Sequence, residues 1–343
     1  MAAVQREEGV DVLKGAAVCC MVFAHTVQLL PPGGDACTQF AYYFVNLTAF
    51  PAFLFCFGYA CRRAYLQKPR AAAARGLARG FCKTMAALYA CGLAWLLCTG
   101  GFGPKAAAKL LLALQLPGYS EFLLSFALLY VLVWALHGAL RRVVAHGWAV
   151  ALAAAAGLAL TWFPYSRVHL PVLGALVGMQ GASVFPLAQY AAYFLLGAWF
   201  SGRTARFSAP VAMCAALGTA AFYVFYAVRG EYPARFPPTA LWVAGGAAWV
   251  YAAWLVCMRT ASWRAVRALR LAFAGRHSLW FLTASNIMLF VLHRAGLRPG
   301  AGGVPGALLH PAVCLGVLLA AGALCTAAAR LRTGVLPGRA RSR

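Results

Sequence analysis

The sequence predicts an all-α protein: a polytopic transmembrane helical bundle of about ten spans, with both termini in the cytoplasm. Three observations carry this. Of 343 residues, 63% are hydrophobic and 10% charged, whereas a soluble domain carries ~25% charged residues. Mean hydropathy is +0.75. Apolar residues gather in runs close to the ~20 that cross a bilayer, and basic residues gather in alternate loops between them. No polar stretch is long enough for a soluble unit, so residues 1–343 read as one integral-membrane domain.

Taken in order, the runs place spans at about 10–30, 40–60, 80–99, 121–140, 147–163, 186–201, 209–228, 238–258, 277–293 and 309–330, punctuated by Pro, Gly and Arg. The N-terminus leads straight into a full-length span, so no cleavable signal is expected. Residues 105–116 are too short to cross and read as an amphipathic segment at the outer interface. Residues 164–185 have room for a re-entrant segment, and an extra span there would invert everything after it.

Charge tests the count. The net charge of +24 comes from 30 Lys+Arg against 6 Asp+Glu. Such a balance raises nucleic-acid binding first, but the placement matches positive residues kept on the cytoplasmic side of a lipid bilayer. With the N-terminus inside, twenty-one basic residues fall in cytoplasmic segments, from Arg6 through Arg62, Arg63, Arg75 and Arg79 to Arg343. Seven fall outside: Lys105, Lys109, Arg167, Arg229, Arg235, Arg294 and Arg298. Lys14 and Lys83 lie within spans. A missed span would reverse the division halfway along the chain. No nucleic-acid partner is expected. Of the 12 cysteines, none forms a metal-binding spacing with Cys or His, so they read as core-filling side chains and no metal is expected.

The first span carries the chemistry. GVDVLKGAAVCCMVFAHTVQLL (9–30) crosses the bilayer while holding Asp11, Lys14 and His25, and ionisable groups in a span are costly and mark pathways or sites. Lys14 and His25 lie eleven positions apart: three helical turns, about 20° apart in azimuth and roughly 16 Å apart along the axis. Both face one side at different depths. Imidazole is the natural general base at neutral pH; the bland alternative is an interior histidine bonded to a neighbouring helix. Lys14 reads either as an inward-facing cation or as a structural partner of Asp11 at i−3.

DVLKGAAVCCMVFAH resembles the first helix of the acyltransferase-3 family, integral-membrane acyltransferases whose hallmark is Arg or Lys, ten residues, then His. Other pieces follow in the family's order. FPAFLFCFGYA (50–60) is similar to its second span, with Gly58 and Tyr59 matching and Phe57 in place of Ser. YFLLGAWFSG (193–202), RFPPT (235–239) and GRHSLWFL (275–282) resemble its FLLG, Pro-Pro and G-x-x-S-L stretches. Two departures stand out. Ser285-Asn286 occupies the place where many relatives carry a second His. The basic pair opening the third span is here Arg75, Arg79 and Lys83 at i, i+4 steps, which share a helix side.

The resemblance implies transfer of an acyl group, most often acetyl from acetyl-CoA, to a hydroxyl of a lipid-linked or surface saccharide, in a bacterial plasma membrane. It implies no permanently bound cofactor, an acyl-CoA donor, and a separate protein for further processing. On that footing His25 is the expected base. Arg62, Arg63, Arg75, Arg79 and Lys83 form the expected phosphate-binding mouth, and Lys14 lies on the thioester's path. Glu121, at the outer start of the fourth span, is expected to orient His25 or bind acceptor hydroxyls, with Glu231 and Arg235 on the acceptor side. His277 and Ser278 are expected near the donor; His137, His146, His169, His293 and His310, at span ends, read as structural. Two rivals remain open: a proton-coupled saccharide or lipid transporter or flippase with Lys14 and His25 as relay, and a scaffold whose buried polar groups only lock helices together. A glycosyltransferase is disfavoured by the near absence of carboxylates in the spans.

Overall fold

The computed structural model describes residues 7–30, 35–116, 118–203, 206–297 and 306–333. The expectations placed on Arg6, Arg298, Arg339, Arg341 and Arg343 lie outside them. Regular structure among these residues is helical: α1 (Glu8–Leu29), α2 (Ala36–Cys61), α3 (Arg70–Thr99), α4 (Pro104–Leu111), α5 (Phe122–Ala135), α6 (His137–Val143), α7 (Gly147–Ala159) and α8 (Pro171–Val177). There follow α9 (Ala191–Phe200), α10 (Ala209–Arg229), α11 (Ala240–Gly245), α12 (Ala247–Thr260), α13 (Arg264–Ala268), α14 (Leu271–Arg276), α15 (Ser278–Arg294) and α16 (Gly306–Thr333).

Each of the ten expected segments contains helix, but they are not alike. Six described stretches are long and apolar enough to cross a membrane: α1, α2 with its π-helical extension Arg62–Leu66, α3, α10, α11–α12 and α16. The fourth expected span is α5 and α6, bent by 88° where Leu136 leaves helical geometry, and would make a seventh if the pair counts as one. α7 and α9 have 13 and 10 residues and α15 has 17. Ten residues rise only ~15 Å, half of a ~30 Å hydrocarbon core. Within 164–185 the chain makes a 3-10 turn, Tyr165–Arg167, and the seven-residue α8. The 105–116 segment forms the short α4, with Leu111 and Leu112 exposed.

α1 lies at the centre, packed by α2, α12, α14, α15 and α16. Its tightest crossing is with α14. A Cβ on Gly15 would fall on the Leu271 carbonyl, and one on Gly275 would fall on the Asp11 carbonyl. α2 and α9 cross in the same reciprocal way, Gly58 against the Phe194 carbonyl and Gly197 against the Phe55 carbonyl. Where helices associate without a hydrophobic driving force, glycine lets backbones approach. Its bare Cα here brings a helix carrying Lys14 and His25 into van der Waals contact with its neighbours.

Candidate active site

His25 sits four residues before the end of α1 with 6% of its surface exposed. Its Nδ1 lies 2.7 Å from Asn286 Oδ1 on α15. Asn286 Nδ2 donates to the Tyr119 carbonyl (2.9 Å) and to Ser120 Oγ (3.0 Å). A carbonyl oxygen accepts only, so the amide nitrogen must face Tyr119 and the amide oxygen must face His25. Nδ1 is therefore the donor, and Nε2 of a neutral imidazole keeps its lone pair. Tyr119 stacks edge-on against the imidazole at 5.7 Å and Phe122 lies at 6.3 Å. The loop entering α5 thus holds the ring's partner with Tyr119 and Ser120, and the ring itself with Tyr119 and Phe122.

Two further histidines secure the end of the same helix. His293 lies 2.6 Å from the Leu29 carbonyl and His310 3.3 Å from that of Leu30. The last carbonyls of a helix have no partner within it, and these imidazoles supply donors. His137 Nε2 likewise lies 3.3 Å from the Tyr65 carbonyl, and His146 Nδ1 3.2 Å from that of Arg142. His277 is exposed at the start of α15, with Ser278 buried beside it.

Lys14 is partly buried at the other end of α1, and it and Asp11 both act electrostatically on buried Cys56 of α2. α1 is unbroken between Lys14 and His25, so the two keep the common azimuth that their spacing requires. Glu121 immediately precedes α5, partly buried. The described contact of His25 Nδ1 is with Asn286, while Glu121 interacts electrostatically with Arg235. Arg235 comes from the loop between α10 and α11. Its guanidinium lies over Phe236 at 4.6 Å and Phe185 at 5.6 Å, with Nε enclosed and without a hydrogen-bond partner among the described residues. Burial pulls it below the ordinary guanidinium range, and Tyr42, Tyr190 and Glu121 oppose that pull. Gln28 Nε2 donates to Tyr42 Oη at 2.8 Å. At the His25 end of α1, Gln28 of that same helix meets Tyr42 of α2, and Arg235, which acts on His25, is acted on in turn by Tyr42 and by Glu121, three residues from segments distant in sequence. Glu231, four residues before Arg235, is exposed.

The five cations expected at the donor mouth separate into three environments. Arg62 Nη1 donates to the carbonyls of Ala198 (3.1 Å), Trp199 (3.3 Å) and Val144 (3.3 Å). A Cβ on Gly202 would strike its guanidinium. Arg62 thus caps the C-terminal turn of α9, where a cation meets the negative helix end, and is a helix-end staple rather than part of an open mouth. Arg63 pairs with Glu7 at 2.6 Å and lies over the Tyr59 ring. Arg75, Arg79 and Lys83 stand exposed on α3, on the side away from buried Ala73, Leu77 and Thr84.

Sequence reasoning missed Asn286, Tyr119, Ser120, Gln28 and Tyr42. Asn286 was visible only as the residue standing where relatives carry His. Its signal is a buried amide in the middle of an apolar helix, which must find partners.

No curated protein and no solved structure matches the chain. A family model does. The acyltransferase-3 model, described as an acyltransferase domain, matches residues 7–327, nearly the whole length, and takes in every residue of the site above; the chain belongs to that family of acyltransferases.

Proposed function

We propose that this integral-membrane acyltransferase is an O-acyltransferase that moves an acyl group, acetyl in the simplest case, from a cytoplasmic acyl-CoA to a saccharide hydroxyl, with His25 as general base. The observation that carries the reading is the chain Tyr119 carbonyl–Asn286–His25, because it leaves Nε2 as the basic nitrogen. In this reaction Nε2 takes the proton of the acceptor hydroxyl as its oxygen attacks the thioester carbonyl carbon. The tetrahedral intermediate collapses with loss of the C–S bond, and the imidazolium returns the proton to the departing thiolate. The products are an ester and CoA. Asn286 acts through His25 as a positioning residue: an amide accepts from Nδ1–H in both protonation states, so the ring does not turn during the cycle.

Supporting the layout, Lys14 and His25 share one side of α1, a cation towards the donor's compartment and a base towards the acceptor's. Lys14 polarises or guides the thioester arm. Arg63, Arg75, Arg79 and Lys83 remain the candidates for the donor's phosphates. Glu121 and Arg235 offer an acceptor and a donor of hydrogen bonds to sugar hydroxyls at the far end, with Glu231 at the loop surface. The membrane is read as a bacterial plasma membrane.

The test is purified protein with labelled acetyl-CoA. Lys14→Ala is expected to weaken donor binding, whereas His25→Ala keeps donor binding and loses transfer. Full transfer by His25→Ala would overturn the assignment of the base. Donor untouched while a saccharide or lipid crosses the bilayer would overturn acyl transfer itself.

A further inference from the structure

A cavity of about 330 Å³ lies at the basic end of α1, between the start of that helix, the α13–α14 corner and α16. Its charged lining is Arg267, Arg270, Arg276 and Glu8, and Arg267 lies 3.5 Å from Glu8. Val12, Phe273 and Thr326 belong to its walls. One carboxylate among three guanidinia leaves the space cationic.

This cavity is not the passage between Lys14 and His25. Glu8 and Val12 are one turn apart on α1. At 100° per residue Val12 lies about 160° around the axis from Lys14 and about 140° from His25, and Glu8 about 120° and 100° from them. A ligand here sits on the back of the catalytic helix. Its surroundings are those of a membrane surface. Trp263 and Leu269 are exposed on either side of α13, an amphipathic arrangement suited to headgroup depth. On α16, Leu315 and Leu319 are exposed and recur with Thr326 at helical spacing, so an apolar stripe leads from the cavity along the helix.

We propose that this cavity holds the phosphate headgroup of an anionic glycerophospholipid, its acyl chains lying along the Leu315–Leu319 stripe. Three guanidinia match a phosphodiester in charge and geometry, and anionic lipid is the phosphate a basic juxtamembrane segment meets first. In the orientation set by the basic loops this is a lipid of the cytoplasmic leaflet. α14 carries Arg276 and crosses α1 at Gly15 and Gly275. The bound headgroup therefore braces the crossing that seats the catalytic helix, without touching its reactive face.

The experiment is full-length protein in nanodiscs of phosphatidylcholine with a minor share of phosphatidylglycerol, extracted gently and its retained lipids counted by native mass spectrometry. Wild type is expected to retain phosphatidylglycerol at least tenfold above its share of the bilayer. The triple variant R267Q/R270Q/R276Q is expected to lose that enrichment. Ala272→Leu, which fills the cavity from its wall and leaves all three guanidinia, should lose it too, and decides the matter should the triple variant not fold. Absence of enrichment in wild type, or full enrichment in Ala272→Leu, overturns the proposal. Displacement of the lipid by coenzyme A or inorganic phosphate also overturns it, because the cavity would then be a site for soluble phosphates.

Discussion

α1 and α10 are nearly the same helix by length and hydropathy, and opposite by environment. They have 22 and 21 residues and mean hydropathies of 1.6 and 1.9, yet 67% of the apolar stretch of α1 is buried in the protein against 17% of that of α10. In α10 the buried residues Ala215, Thr219 and Phe222 form one narrow stripe, while Met213, Leu217, Val224 and Val228 are exposed. In α1 the burial runs almost all the way round. An apolar side chain is satisfied equally by lipid or by protein, so hydropathy does not choose between them. A polar side chain is not, and α1 is the helix that holds Lys14 and His25. Inside the bundle, His25 meets Asn286; facing lipid it would have met nothing.

This contrast can be tested by substitution, from severe to slight. His25→Ala is expected to lower turnover about 10²–10⁴-fold, the usual contribution of a general base, and to cost about 1–3 kcal/mol of stability because Asn286 Oδ1 loses its partner; the same loss of stability with turnover intact would make His25 merely structural. Asn286→Leu keeps the base but strands the Nδ1–H and two acceptors. A buried polar group left unbonded costs about 1–3 kcal/mol of stability; the Nδ1–H bond also strengthens as the imidazolium forms, and losing that charge-assisted gain should lower turnover roughly 10–100-fold, with acyl-CoA affinity retained. Gly58→Val, against the Phe194 carbonyl, should cost about 1–3 kcal/mol through overpacking, read as a drop in melting temperature in detergent. Arg62→Met removes donors from three carbonyls and should cost about 1–2 kcal/mol; if it instead weakened acyl-CoA binding at constant stability, Arg62 would belong to the donor site after all. Leu217→Ala on the exposed side of α10 should stay within about 0.5 kcal/mol. A destabilisation as large as that of Gly58→Val would mean that α10 has a protein partner on that face.

The family motifs scattered along the chain have a common physical meaning. Gly58-Tyr59 and the FLLG stretch ending in Gly197 are the two halves of one helix crossing, and the Gly275 of GRHSLWFL meets the first span beside Gly15. Each half looks arbitrary by itself because the constraint it answers lies in a segment over a hundred residues away. The Lys14–His25 spacing was legible because both residues sit on one helix, where geometry follows from counting. Asn286 was not, since its value depends on Tyr119, Ser120 and His25 arriving from other helices. Arg62 misled for a related reason: an arginine at a basic loop looks like a phosphate ligand until the carbonyl ends of α9 are seen around it.

What the sequence by itself determined is the class of molecule and the side of α1 that Lys14 and His25 share. Composition forces a lipid-embedded helical protein, and the eleven-residue spacing puts cation and imidazole on one side of α1, because local helix geometry needs no partner. Tertiary structure alone decided which nitrogen of His25 meets Asn286, which cations meet helix ends or a carboxylate of this chain, and which apolar helices face protein. Those outcomes depend on hydrogen bonds and close approaches between segments far apart in the chain, and no local pattern encodes the distance between them.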